Sequence, residues 1–418
     1  MDFVSKFKGK IEERLKSGDV YLVFDRYNDY STKCATRISR GNDGCRVFQL
    51  SPTSPLPSQK LTLTVTENKK QLINIICQHL QSDARFIIKH KLVITSQDGT
   101  PVQLGPGGVP IQRHDMATSH EEADVIIVQQ AIMLADEGRS IRVPADDTDV
   151  YVLLLHFYQK QGFQSPLIME SPIRDRSVID IPATVDRHRD IIPMLAGHPL
   201  TGCDTVGAHF GVGKGTLLKV LRQKNGFPLP SIGDIHADMA DVMKDATALI
   251  TACYGQPKAT TLSNARVNVW TTRVGKAGAT NTPNLAAMPP TTEAFKDNVK
   301  RAHLQTWIWK SASELNPWTL DPTAFGYMKD EATKSLIPVT TPPNVKLAPA
   351  NILRLSFIRC NCASDNPCKS SGCGCNKAKL ACTMFCACHA SVRCLNVYYH
   401  FGGHFVFSPL SKLVIIDK

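Results

Sequence analysis

The chain has 418 residues, 43% of them hydrophobic, which is enough apolar material for one large core or two to three domains. Lys and Arg outnumber Asp and Glu by 48 to 37, an excess that favours a polyanionic partner such as nucleic acid but is also met on ordinary soluble proteins. No run approaches the roughly 18 apolar residues of a membrane helix, and "MDFVSKFKGKIEERLK" lacks the apolar centre of a signal peptide, so a soluble, intracellular protein is expected.

Residues 1–16 carry Phe3, Phe7, Ile11 and Leu15 at i+4 spacing, which predicts a helix ended by Gly18. "VYLVFD" (20–25) reads as a buried strand and is followed by the basic stretch "RYNDYSTKCATRISR". After a Pro/Ser-rich loop (51–58), "LTLTVT" (61–66) alternates with period two and reads as a strand. A helix follows over 67–81, then a strand in "FIIKHKLVIT" (86–95) and a loop in "GTPVQLGPGGVP" (99–110). The next helix is expected over 120–137, with Ala123, Ile126, Ile127, Ala131 and Leu134 on its apolar face. "SIRV" (140–143) reads as a strand and "VYVLLLHFYQK" (150–160) as a helix. Strands alternating with helices argue for an α/β fold, a parallel sheet with helices on its faces. Beyond about residue 230 the pattern is helical (235–255 and 291–314), interrupted by a Thr/Gly/Pro/Ala-rich connector at 256–291.

Carboxylates gather at the ends of these elements. Asp25 ends a strand, and Glu121, Glu122 and Asp124 open a helix. Asp146, Asp147 and Asp149 follow "SIRV", and Asp204 lies in "PLTGCDTVG". Ligands of a parallel sheet bind beyond the carboxyl ends of its strands. Clustered carboxylates raise one another's pKa unless a cation neutralises them, and Mg²⁺ or Mn²⁺ suits such oxygen donors. A pair of these ions activates water and stabilises the leaving oxygen in phosphodiester cleavage. Structural roles stand beside this reading. "SHEE" has the form of a capping box between Ser119 and Glu122, Asp25 fits a strand-end turn, and Asp146 fits a solvated loop.

"VYLVFD" with the basic stretch after it, "EEAD", "DDTD" and "TGCD…GVGKGT" together resemble the PIN-like/flap-endonuclease superfamily over roughly residues 18–225. The resemblance implies a parallel sheet flanked by helices and Mg- or Mn-dependent nuclease chemistry on Asp25, Glu122, Asp124, Asp147, Asp149 and Asp204. It also implies phosphate contacts from Lys33, Arg37, Arg40, Lys214 and Lys219. "GVGKGTLLKVL" is not a phosphate-binding loop of the Walker type, because Ala208 and Gly215 break that pattern. More narrowly, "SHEEAD", "DDTDVYVLLLHF" and "LTGCDTV" resemble uncharacterised animal proteins linked to mobile elements, which join this domain to a C-terminal cysteine module. One departure matters. The family's first aspartate ends a strand that precedes the first helix, and this chain starts inside that helix, with no strand leading into Asp2. A missing metal ligand and a gap in the middle of the sheet are therefore expected. A metal-dependent nuclease and a DNA-binding relic both stay open.

Of the 14 cysteines, Cys34, Cys45, Cys77, Cys203 and Cys253 are scattered. The rest are Cys360, Cys362, Cys368, Cys373, Cys375, Cys382, Cys386, Cys388 and Cys394, and such clustering without an export signal favours metal thiolates over disulfides. Three tetrahedral zinc ions need about 12 thiolate positions, which nine sulfurs supply when six are terminal and three bridge. The spacing resembles the tesmin-type CXC domain, which implies three zinc ions and contact with DNA, here through Lys377, Lys379 and Arg393. Gly372 stands where DNA-reading members carry tyrosine. A metallothionein-like store would lack Leu380, Met384 and Phe385, and a pre-SET cluster would precede a methyltransferase domain. The expected organisation is a PIN-like domain over 1–230, a helical extension over 231–336, a linker at 337–351, the zinc domain at 352–396 and a separate tail at 397–418 holding His400 and His404. A nuclear, DNA-associated protein is the expectation.

Overall fold

The computed structural model describes residues 2–39, 46–51, 57–82, 89–107, 109–173, 178–189, 194–223, 227–270, 272 and 285–340. In the cysteine-rich region it describes 359–363, 367–369, 372–378, 382, 386–389 and 393–396. The chain forms two compact units, residues 1–258 with 291–340, and residues 259–290 with 341–418.

The first unit is mixed α/β. Helix α1 (Asp2–Leu15) leads into β1 (Val20–Val23), and α2 (Thr32–Ser39), α3 (Gln59–Thr64) and α4 (Thr66–Ser82) carry the chain to β2 (Leu92–Thr95). β1 and β2 pair in parallel. Leu92, Val93 and Ile94 are almost wholly buried because both faces of β2 are covered. On one face Ile11 and Leu15 of α1 and Leu72, Ile76 and Leu80 of α4 pack with Leu92 and Ile94. On the other, α5 (Ala123–Asp136) places the Gln130 amide 2.7 Å from the Thr95 hydroxyl.

The stretch expected as loop at 99–110 contains β3 (Val102–Leu104), antiparallel to β2, and β4 (Ile111–Gln112), just beyond that stretch, pairs antiparallel to β3. Gly105, Pro106 and Gly107 lie between the two strands, and such turn residues masked the short strands on either side. "LTLTVT" is helical, not a strand. Ser58 accepts the Leu61 N–H at the start of α3, Thr62 bonds back to the Ser58 carbonyl, and Val65 breaks the helix before α4. With no strand edge beside it, the alternating pattern had nothing to pair with.

After α5 comes a second sheet. β5 (Ile141–Pro144) runs parallel to β6 (Leu167–Glu170) across α6 (Thr148–Gln161), and β7 (Ile179–Asp180) joins antiparallel. The parallel pairs with helical crossovers match the alternation in the sequence. They do not form one parallel sheet, because each pair is extended outward by an antiparallel strand and the two sheets share no ladder among the described residues. β1 and β5 are edge strands, and α5 packs against both.

The helical region packs into the same unit. Helix α7 (Ile181–Arg187) lies on α6, α8 (Met194–Leu200) lies against α9 (Lys214–Leu221), and α10 (Met239–Cys253) and α12 (Thr292–Lys310) cover α8. A two-stranded hairpin, β8 (Tyr327–Lys329) and β9 (Leu336–Pro338), closes on α2. In the second unit, the stretch expected as a plain connector contains α11 (Leu262–Val269), whose first turn is capped by the Thr261 hydroxyl. No described helix is long and apolar enough to cross a membrane.

Two histidines of the first unit are held in dry surroundings. His156 Nε2 and His209 Nε2 are buried without hydrogen-bond partners, and burial pushes both imidazoles down to about 4. Their folded values lie below the unfolded value of about 6.5, so the stability they permit is complete above pH 6.5 and is lost as pH falls towards 4. His209 packs against Phe295, with ring centroids 5.7 Å apart. His209→Phe is therefore expected to flatten the acid limb of the stability profile by up to about 3 kcal/mol, read by denaturant unfolding at pH 4.5 and 7. An unchanged slope would show that the imidazole is solvated.

Candidate functional site

The acidic residues meet at the carboxyl ends of β1 and β5. Past β1 the backbone bonds on to Thr95, and Asp25 then accepts the N–H of Ala123 at 3.0 Å, so it caps the first turn of a helix from another segment. Arg26 fixes that approach by donating to the carbonyls of Gln97, Thr118 and His120. The site needs Gly99 beside it, at φ +75°, since a Cβ there would lie 2.7 Å from the Thr118 oxygen.

The capping box does not form. Glu122 occupies the N-cap position of α5 without a side-chain cap bond, and the Ser119 N–H is drawn to the Leu315 carbonyl instead. Glu122 turns inward and accepts from Gln305 Nε2 of α12 at 3.3 Å. Glu121 points elsewhere, to the Ser31 hydroxyl at 3.0 Å and to Arg37 at 3.1 Å.

At the centre lies Lys33. The residue is 8% exposed, and its ammonium stands 3.3 Å from Asp204, 3.7 Å from Glu122 and 3.9 Å from Asp124. Burial alone would lower its pKa, but Glu122, Asp124, Asp204 and Asp25 outweigh that and hold it above the usual lysine value. Burial pushes Asp124 up to about 7, with Glu122, Asp147 and Asp25 adding to the rise and Lys33 opposing it. Burial likewise raises Glu122, against the pull of Lys33 and Gln305 and helped by Asp149. Asp147 caps α6 through the Asp149 N–H at 2.8 Å. Asp149 is bound in turn by His198 Nε2 at 2.7 Å. Asp146 is exposed.

Asp25, Glu122, Asp124, Asp147, Asp149 and Asp204 are thus drawn from four segments into one electrostatic group. That group has a resident cation, a side chain of the protein. Among the described residues, the sets of three or more ligand atoms within 4.8 Å of one another are all cysteine sets. The acids fit a hard divalent ion in donor type, but as they stand they are spread around an ammonium.

Several expected phosphate contacts are committed inside the fold. Lys33 is buried as described. Arg37 is held between Glu121 and the Tyr27 ring, 4.5 Å from its centroid. Lys214 donates to the His198 carbonyl, the Thr201 hydroxyl and the Gly202 carbonyl, and so ties down the end of α8 rather than facing solvent. Burial pushes it down to about 8. Basic residues next to glycines resemble phosphate contacts in sequence, whereas orphan carbonyls at a helix end attract the same ammonium. Lys219, Lys377 and Arg393 are exposed, and Arg40 and Lys379 lie outside the described residues, as do His400 and His404.

The cysteine-rich region has a core made of sulfur. Eight of its nine cysteines are buried and Cys362 is partly so. Three overlapping sets can each hold a metal ion: Cys360, Cys362, Cys368 and Cys373; Cys360, Cys373, Cys375 and Cys382; Cys360, Cys368, Cys382 and Cys388. Sulfur pairs lie 3.4 Å (Cys360–Cys368), 3.8 Å (Cys360–Cys382) and 3.9 Å (Cys373–Cys382) apart. Those separations are too long for disulfides and bracket the ~3.8 Å expected between two sulfurs of a tetrahedral zinc thiolate. The Asn376 N–H and Asn396 Nδ2 each approach a sulfur at 3.4 Å, of Cys373 and Cys382 respectively. The donor set fits zinc.

Sequence reading missed His198 and Gln305. His198 is a polar residue inside the apolar run "MLAGHPL", which is a faint local cue, whereas nothing local links Gln305 to an acid 183 positions away. Compared with known protein families, with curated proteins and with solved structures, the chain matches none. Its functional reading therefore rests on geometry and chemistry.

Proposed function

We propose that the first unit is a divalent-metal-dependent phosphodiesterase of the PIN-like/flap-endonuclease type, and that the zinc-binding region associates it with DNA in the nucleus, as in the mobile-element-linked proteins its sequence resembles. The observation that supports this is the gathering of carboxylates from four segments, with Glu122, Asp124 and Asp204 all within 3.9 Å of the one Lys33 ammonium and Asp25, Asp147 and Asp149 electrostatically coupled to that set. Unbalanced buried carboxylates are costly, and a site that accumulates them is one prepared for a stronger cation. Mg²⁺ or Mn²⁺ held by Asp124, Asp147, Asp149 and Asp204 would supply water activation and leaving-group stabilisation. The protein's own part is to hold the acids in place, with Gln305 on Glu122, His198 on Asp149 and the α6 N-terminus on Asp147.

Lys33 favours a second reading. An internal ammonium already bridges three of the acids, as expected of a relic site in a protein that binds DNA or chromatin without cutting it. Incubating the zinc-loaded full chain with flapped and single-stranded DNA, with and without Mn²⁺, separates the two. Ion-dependent cleavage is expected, and Asp124→Asn should reduce it roughly 100-fold or more, since such chemistry tolerates little misplacement. Cleavage indifferent to Asp124→Asn would sink the catalytic reading. Salt-dependent DNA binding without cleavage would carry the second.

A further inference from the structure

Asp149 is the one acid of the group held by a buried imidazole. His198 has no solvent exposure, and its Nε2 lies 2.7 Å from Asp149 Oδ1. Its other nitrogen, Nδ1, is buried with no hydrogen-bond partner. The tautomer carrying its proton on Nε2 meets both facts, donating to Asp149 and leaving only an acceptor unpaired, whereas a proton on Nδ1 would be an orphaned donor. The Trp309 ring of α12 packs on the imidazole with centroids 5.6 Å apart, which limits its rotation. Lys214 holds the His198 carbonyl at 2.7 Å and also binds Thr201 and Gly202, so the end of α8 that carries His198 is tied from a different helix.

We infer that His198 is the positioning residue of Asp149: it fixes one carboxylate oxygen, so that the other is presented to the cation that the acidic group binds. The inference rests on the metal-dependent reading proposed above. A carboxylate free to rotate offers a cation a moving target, and fixing it in advance removes an entropy loss from binding. Hydrogen bonds of this kind to metal-ligating carboxylates are typically worth 10–100-fold in metal affinity. Neither Trp309 nor Lys214 has a described hydrogen bond to Asp149, so loss of the imidazole has no ready substitute among the described residues.

The test is Mn²⁺ binding to the zinc-loaded full chain, followed by electron paramagnetic resonance, for His198→Leu, His198→Gln, Asp149→Asn and the double variant His198→Leu/Asp149→Asn. His198→Leu is expected to weaken Mn²⁺ at least about 10-fold, and His198→Gln, which keeps an N–H donor at similar reach, to recover most of that. In the Asp149→Asn background His198→Leu should have little further effect, because both substitutions remove the same interaction. A residue that merely filled space would show additive losses and no rescue by Gln, and that result overturns the inference, as does unchanged affinity in His198→Leu. If His198→Leu fails to fold, His198→Asn, whose amide is too short to reach Oδ1, takes its place with the same expectations. If the unsubstituted chain binds no Mn²⁺, the metal-dependent reading itself fails and takes this inference with it. Binding that ignores His198 defeats the inference alone.

Discussion

Chelating zinc from the full chain is expected to unfold the cysteine-rich region and make all nine of its thiols reactive, while the helices of the first unit persist. The buried cluster of that region consists of cysteines alone among the described residues, so the metal that joins their sulfurs is what holds that cluster together. Structural zinc contributes about 10–16 kcal/mol in small metal-dependent folds, which exceeds what a region of this size can draw from side-chain burial. Metal analysis should return close to three zinc ions per chain, the number for which nine thiolates supply tetrahedral coordination. Cys360 belongs to all three four-cysteine sets and Cys362 to one. Cys360→Ser should therefore release more zinc than Cys362→Ser. A stoichiometry of one or none, or thiols equally reactive before and after chelation, would remove zinc from the account.

How much of this was legible in the sequence follows from the range of the interactions involved. Helices α1, α4, α6, α10 and α12 show themselves because apolar spacing repeats within one element, and the parallel pairs follow from strands alternating with them. α3 was misread because period two is also what a short helix can show when Leu and Thr happen to alternate. Leu61 and Leu63 are each 43% exposed, so burial never selected the pattern. The division into two sheets could not be read from residues 20–25 or 140–143, since pairing depends on what lies beside a strand rather than on what is in it.

The same distinction governs the acidic group. Asp25, Asp124, Asp149 and Asp204 were legible as candidates because each sits at an element end in a short polar segment. What organises them was not. Lys33 reaches Asp204 across 171 positions and His198 reaches Asp149 across 49, with no local pattern announcing either. Lys33 reads in sequence as one more member of a basic surface, and only its placement makes it the counter-charge of the site.

That counter-charge makes Lys33→Met the most informative single change in the first unit. Met keeps the stem and loses the charge, leaving Glu122, which is 5% exposed, and Asp124 without a cation. Removing one partner of a buried ion pair typically costs about 3–5 kcal/mol, because the remaining charge cannot be rehydrated. The loss should depend on pH. Asp124 is already pushed up to about 7 by burial, above its unfolded value, so its protonated form favours the folded state; the stability this gives is present at low pH and lost as pH rises through 7. Without Lys33 that rise is no longer opposed, so the variant should be nearly normal at pH 5 and weaker by about 3 kcal/mol or more at pH 8. Added Mn²⁺ then separates the two readings of the acidic group. If the carboxylates can close on a divalent ion, millimolar Mn²⁺ should restore stability to Lys33→Met at pH 8 by mass action, and more strongly than it affects the unsubstituted chain, where the ammonium competes. If they cannot, Mn²⁺ should do nothing and Lys33 is the only cation the site was built to hold. A loss at pH 8 smaller than about 1 kcal/mol would mean that water reaches the acids and that the group is less buried than its geometry states.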